Sequence, residues 1–267
     1  MLKLILKGIV IGIANIIPGV SGGTLAVILG VYDKLTEAIG NFLVVPMKKK
    51  MEYLKFLSQI GIGVAAGIVL FAKVIEFAVT NYPKITAGVF TLLIIPSIPY
   101  IVKGEDKKNK KNLFFLCLGG ILALFFIYAD LVYGDKSGTA QITTAITGGY
   151  LLKLLICGSV AAGAMIIPGI SGSMLLLMLG EYYNVLGFIN RLFTGIIHIG
   201  TYGSLRVILE NLALIQLGAF GIGIVIGLVG ISKLINLLLA KYRSSTLFFI
   251  TGIIVVSIFQ IWINACK

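Results

Sequence analysis

Charge is scarce in this chain of 267 residues: 12% of positions are Asp, Glu, Lys or Arg, and only 10 are acidic. Soluble domains carry about 25% charged residues. With 58% hydrophobic residues and a mean hydropathy of +1.07, a soluble globular fold is excluded. Disorder is excluded by the same numbers, because disordered segments are poor in apolar residues. The cysteines are few, and Cys117, Cys157 and Cys266 form no CxxC or Cys/His spacing, so neither a disulfide framework nor a metal site organises the chain. The single histidine, His198, lies in a mixed polar stretch and reads as a solvated surface residue rather than a proton relay. There is no nucleotide-binding motif, no catalytic cluster and no aromatic–basic pattern suited to nucleic acid.

What is present is a series of apolar runs of about 20 residues, the length a helix needs to cross a bilayer. The chain reads as an all-α polytopic membrane protein. Glycine supplies 33 residues, an excess that points to close helix packing or to broken helices. The net charge of +12 fits lysines beside membrane spans, where they meet anionic lipid and set topology.

The chain repeats itself. Residues 2–32 match 152–182 at a constant offset of 150, with 16 of 31 positions identical. The shared core is IIPGVSGGTLAVILGVY at 16–32 and IIPGISGSMLLLMLGEY at 166–182. A second block, 61–98, matches 221–258 at 13 of 38 positions, including Lys73/Lys233, Tyr82/Tyr242 and the glycines 61, 63, 67 with 221, 223, 227. The same repeat argues against a signal peptide, since the segment after Lys3 and Lys7 recurs in mid-chain.

From Gly8 to Ile17 a helix rises about 15 Å, half of a hydrocarbon core about 30 Å thick. Pro18-Gly19 then stops it, as Pro168-Gly169 does in the second copy. The spacing predicts re-entrant hairpins at about 4–32 and 152–182; one kinked span from 4 to 31 is the other reading. Full spans are expected at about 56–80, 85–102, 113–132, 212–239 and 246–265, with amphipathic stretches 33–55 and 183–210 at the interfaces. The first repeat is then 1–102, a loop and connecting span fill 103–140, and the second repeat is 141–267. Three spans between the hairpins invert the second half. With a cytoplasmic N-terminus and an outer C-terminus, 14 basic residues fall inside and 6 outside, while Lys73 and Lys233 are intramembrane. Inverted repeats with broken helices at the midplane are a transporter architecture.

The tips PGVSGGT (18–24) and PGISGSM (168–174) place hydroxyls ahead of a returning half-helix. Its first N–H groups lack intrahelical partners and carry about half a positive charge. Ser21, Gly22, Gly23 and Thr24, with Ser171, Gly172 and Ser173, would make an anion cradle; tight helix crossing is the alternative role for such small residues. Lys73 and Glu76 share a helix face and can neutralise each other, whereas beside Lys233 the acid is replaced by Asn236. These charges read either as functional or as snorkelling to an interface. Arg191 and Arg206 are first contacts for an anionic headgroup or solvated interfacial charge. Glu181, where the first copy has Val31, is an interfacial acid or a proton-coupling group.

GIANIIPGVSGGTLAVILGVYDKL and AAGAMIIPGISGSMLLLMLGEYYNV resemble the paired signature of the PopT-type undecaprenyl-phosphate translocases, and the likeness covers essentially the whole chain. The resemblance implies a bacterial plasma-membrane protein. It would carry undecaprenyl phosphate from the outer to the cytoplasmic leaflet, recycling the lipid for cell-wall polymers without a bound cofactor. Asn15 stands where such proteins often have Asp, a departure that bears on coupling to a proton or sodium gradient. Two other readings stay open. One is a carrier for a small soluble anion. The other is a polyprenyl-pyrophosphate phosphatase, whose similar paired motif carries an Arg where this chain has Gly22-Gly23 and Gly172-Ser173.

Overall fold

The structure, a computed structural model, describes residues 2–16, 21–133, 146–197 and 212–266, and its regular elements there are all helical. The first repeat opens with α1 (Leu2–Ile16), α2 (Gly22–Ile28), α3 (Tyr32–Asn41) and the long α4 (Met47–Asn81). Next come α5 (Pro83–Ile94), a 3-10 turn (Ile95–Ser97), α6 (Ile98–Ile101) and α7 (Lys110–Tyr133). The second repeat contains α8 (Gly148–Ile166), α9 (Gly172–Met178), α10 (Tyr182–Ile197), α11 (Leu214–Lys241) and α12 (Arg243–Ala265). Among the described residues, α4, α7, α8, α11 and α12 are long and apolar enough to cross a membrane. The pair α9 and α10 is bent by 111°, as a re-entrant element is.

Three boundaries differ from the sequence expectation. Residues 47–55 are not a separate interfacial stretch but the first turns of α4, because nothing between Pro46 and Asn81 breaks the helix. The expected span 85–102 is interrupted at 95–97, where Pro96 and then Pro99 remove N–H donors and crowd the preceding turn. The entering arms are longer than half a hydrocarbon core because they start earlier: 15 residues in α1 and 19 in α8, about 22 and 28 Å, ending at Ile16 and Ile166. The returning arms are shorter than expected, with 7 residues each.

Glycine ends both returning arms in the same way. Gly30 (φ +64°) and Gly180 (φ +72°) adopt the left-handed conformation that L side chains disfavour. The N–H of Val31 bonds to the Ala26 carbonyl and that of Gly30 to Val27; Glu181 and Gly180 repeat this with Leu176 and Leu177. Both are Schellman closures, and each aims the next residue back over its arm. The repeat visible in the sequence is therefore repeated in local geometry. The turns after α4 and α11 agree too, with Tyr82 at φ −134°, ψ 51° and Tyr242 at φ −133°, ψ 46°.

The described chain divides into two compact units. In the unit formed by Met1–Ile127, Met165–Ser171 and Val229–Lys267, α1 packs along α4 through Gly8 and Gly12 facing Gly63 and Gly67. A Cβ at any of the four would overlap backbone of the other helix. This is the small-xxx-small contact by which membrane helices approach closely without a hydrophobic driving force. α12 crosses α7 through Gly252 and Gly119 in the same manner, and its Trp262 indole donates to the Thr91 hydroxyl at 3.0 Å. The unit formed by Tyr128–Ala164 and Gly172–Leu228 repeats the first crossing: Gly223 and Gly227 lie on the backbone at Leu155 and Ser159 of α8, and Gly158 on Phe220. Its core gathers Leu154, Val185, Phe188, Ala213 and Phe220. Of each expected glycine triplet only two members pack; Gly61 and Gly221 face open space.

Candidate functional site

At the first tip Pro18 and Gly19 lie outside the described residues, and the returning arm begins at Ser21. Ser21 is an N-cap in extended conformation whose Oγ accepts the Gly23 N–H at 3.2 Å. The Asn15 carboxamide reaches across from α1, and its Oδ1 accepts the Gly22 N–H at 3.0 Å. The Thr24 N–H donates to the Ser21 carbonyl at 3.0 Å. The backbone donors that the sequence left open for an anion are thus closed by the chain's own oxygens. A Cβ at Gly22 would overlap the Asn15 carboxamide, so a side chain there would displace Asn15 from the Gly22 N–H. One polar group stays unused: the Thr24 hydroxyl, on a residue 1% exposed, has no hydrogen-bond partner among the described residues. A buried unsatisfied hydroxyl costs about 1–3 kcal/mol, a cost that a hydrogen bond from a ligand or water would relieve.

The second tip touches the first within one unit. A Cβ at Gly23 would sit 3.3 Å from the carbonyl oxygens of Met165 and Ile166 and from Pro168 Cα. The Tyr32 hydroxyl, at the foot of the first hairpin, donates to the Ile166 carbonyl at 3.0 Å and satisfies a free carbonyl at the end of α8. Pro168 is buried, and Gly169 turns at φ +81° against Ile253 and Ser257 of α12. Ser171 closes this turn half-buried; in the other unit Gly172 is buried and Ser173 exposed at the start of α9.

The feet of the two hairpins are fastened differently. In the first, Lys7 Nζ donates to the Leu29 carbonyl at 2.6 Å, a cation on the C-terminal end of α2. In the second, Glu181 is 1% exposed and forms an ion pair with Lys153. Its Oε2 also accepts from the Tyr150 hydroxyl at 2.8 Å and from Asn184 Nδ2 at 3.0 Å. A buried carboxylate requires such partners, and here α8 and α10 supply them. Sequence reading singled out Glu181 without joining it to Lys153, which matches Lys3 of the first copy. The available signal was a lysine shared by both copies with an acid present only in the second.

The remaining candidates disperse. Lys73 and Glu76 are both exposed and make no ion pair with each other, contrary to the expectation from their spacing. Along a continuous α4, Lys73 lies 18 residues, about 27 Å, beyond Lys55. Lys233 is likewise exposed, after the apolar run of α11. Arg191 is half-buried on α10, while Arg206 and His198 lie outside the described residues. Near the ends of α3, α4 and α11 a polar cavity of about 400 Å³ opens, and there each cation has an acid: Lys34 with Glu52, Lys49 with Glu37, Arg243 with Asp33 and Glu105. The Tyr53 hydroxyl, 2.6 Å from Glu37, together with Lys49 holds that carboxyl below the usual carboxylate range against the opposing effect of burial.

Residues 11–266 match the model of a family described as undecaprenyl phosphate translocase-like. The chain is similar to the polyprenyl-phosphate transporter of Vibrio cholerae serotype O1, at 31% identity over 268 residues, covering 96% of this chain and 76% of the relative. It is also similar to the polyprenyl-phosphate transporter of Staphylococcus aureus, at 28% identity over 260 residues, covering 97% and 85%. No solved structure gives a significant match.

Proposed function

The chain belongs to the undecaprenyl phosphate translocase-like family, and from that premise we propose that it carries undecaprenyl phosphate from the outer to the cytoplasmic leaflet of the bacterial plasma membrane, returning the lipid for cell-wall polymer synthesis. It is a transporter and not an enzyme.

The observation that carries the reading is the meeting of the first tip with the 165–168 turn at Gly23, beside Thr24 with its buried, unsatisfied hydroxyl. A phosphate dianion cannot enter hydrocarbon alone, whereas its polyprenyl tail never needs to leave it. At the tip, phosphate oxygens take over the acceptor roles of Asn15 Oδ1 and Ser21 Oγ toward the Gly22 and Gly23 N–H groups and accept the Thr24 hydroxyl. Each exchange replaces one hydrogen bond with another, so the anion is desolvated without leaving a backbone donor unpaired. Asn15 is exposed and free to swing aside. The sequence carries no nucleotide-binding motif, so we take the energy to come from a proton or sodium gradient or from the lipid gradient itself.

Purified protein in liposomes is expected to move undecaprenyl phosphate between leaflets and to release no inorganic phosphate from the pyrophosphate form. Phosphate release, or uptake of a labelled oxyanion into vesicles without polyprenyl lipid, in place of leaflet exchange would reassign the protein.

Orientation is part of the proposal. Counting α5 to α6 as one broken span, three crossings separate the hairpins and invert the second repeat, with the N-terminus cytoplasmic and the C-terminus outside. Of the basic residues, 14 then lie inside and 6 outside. A single cysteine at Asn109, in a chain whose own three cysteines are replaced by alanine, should react with an impermeant maleimide only in inside-out vesicles. Reaction in right-side-out cells would reverse the topology.

A further inference from the structure

A second cavity, of about 390 Å³, lies in the same unit as the first tip but away from it, between the N-terminal turns of α7, the end of α11 and the start of α12. Its wall is apolar, with Phe115 and Leu118 from α7, Leu238 from α11 and Phe249 from α12. Two hydroxyls also line it, and both are engaged within the fold: Thr246 donates to the Tyr242 carbonyl at 2.9 Å, and Ser245 to Asn112 at 3.4 Å. At the mouth stands Tyr242, with Lys111 Nζ 5.6 Å and Lys241 Nζ 5.3 Å from its ring centre. Neither lysine forms an ion pair among the described residues.

That last point separates this cleft from the polar cavity beside Tyr53, where Lys34, Lys49 and Arg243 all meet carboxylates. Here two ammonium groups converge on one ring without a counter-ion, above a pocket suited to hydrocarbon. The neighbouring acids are engaged elsewhere, Glu105 with Arg243 and Asp106 with the Lys108 N–H. Lys107, Lys108 and Lys110 precede Lys111 in sequence and add to the positive charge of this segment. The occupant such a site fits has an apolar chain ending in a strong anion.

We propose that this cleft is a docking site for polyprenyl monophosphate, with the first isoprene units between Phe115, Leu118 and Phe249 and the phosphate between Lys111 and Lys241. Charge selects that occupant over bulk phospholipid. A phosphate monoester carries about −1.5 to −2 at neutral pH and matches two cations, whereas a phosphodiester carries a single charge. The volume lies within the range of about 300–1,000 Å³ typical of sites that enclose small ligands. The inference rests on the transport reading above and extends it. On the orientation proposed there, the mouth opens at the cytoplasmic face, so the cleft holds the lipid where it is released, away from the tip.

The test uses the full chain in nanodiscs and a polyprenyl monophosphate bearing a diazirine near its phosphate end. Irradiation should label peptides containing Phe115–Leu118 or Phe249, and Lys111→Gln with Lys241→Gln should reduce labelling about tenfold, as the loss of two interfacial charge contacts implies. Lys111→Arg with Lys241→Arg should retain it, and Leu118→Trp, which fills the cleft, should abolish it. Labelling elsewhere, labelling indifferent to both charges, or equal competition by phosphatidylglycerol would overturn the site. Leaflet exchange measured on the same protein keeps the two claims apart. Exchange with an unlabelled cleft removes the docking site alone; a labelled cleft without exchange removes the transport reading alone.

Discussion

Valine at Gly67 or Gly227 is expected to leave little protein that survives detergent extraction, whereas alanine at Gly61 or Gly221 should be tolerated. The pairs are neighbours in sequence and in repeat position, and their environments are opposite. A Cβ at Gly67 would overlap backbone at Ile9, and one at Gly227 would overlap backbone at Ser159, so neither can be relieved by a rotamer change. Overpacking a close contact costs about 1–3 kcal/mol where side chains can give way, and more against main chain. Against a net stability of about 5–15 kcal/mol, one such insertion against main chain removes a large share of the margin. Gly61 and Gly221 meet nothing within 4 Å, so alanine there only improves helix propensity, by about 0.5–1 kcal/mol. Thermal unfolding followed by size-exclusion chromatography measures all four. Equal stability of Gly67→Val and Gly61→Ala would mean that α1 and α4 do not cross as described.

Glu181→Leu should be the most damaging single change in the second hairpin. The substitution removes the acceptor of Tyr150 and Asn184, and it leaves Lys153 without its counter-ion. Asn184 is buried, so loss of this acceptor bears a desolvation cost; each such loss is about 1–3 kcal/mol. Lys153 is 53% exposed and can turn to solvent, so the ion pair itself adds little. Glu181→Gln keeps two acceptor contacts and loses the charge, and it should fall by only about 1 kcal/mol. The comparison also reads function. If Glu181 serves only to fasten α8 to α10, the glutamine variant will transport at a rate that tracks its stability. Loss of transport in a fully stable Glu181→Gln would instead mark the charge itself as part of the cycle.

Much of the molecule was legible in one dimension. Helical membrane proteins must satisfy every backbone group internally, so apolar run length alone announces helices, and Pro-Gly announces their breaks. The duplicated PGxSG segments and the two glycine pairs were equally open to reading, because a repeat is a property of the string. Spacing went wrong where it stood in for contact. Lys73 and Glu76 are three residues apart and do not pair; Lys153 and Glu181 are far apart and do. Gly61 looks like Gly63 on paper and faces outward.

What the sequence determined by itself is everything carried by local pattern: helical class, membrane residence, the repeat and the tips. Tertiary structure alone decided how those pieces compete for one another's polar groups. The open N–H groups of the first tip belong to Asn15 and Ser21, the Ile166 carbonyl to Tyr32, the Glu181 carboxylate to Lys153, Tyr150 and Asn184. The Thr24 hydroxyl finds none among the described residues. The physical reason is that helix formation is encoded by neighbours within about four residues. The satisfaction of a buried donor depends instead on which oxygen the fold brings within about 3 Å, and that oxygen can come from anywhere along the chain.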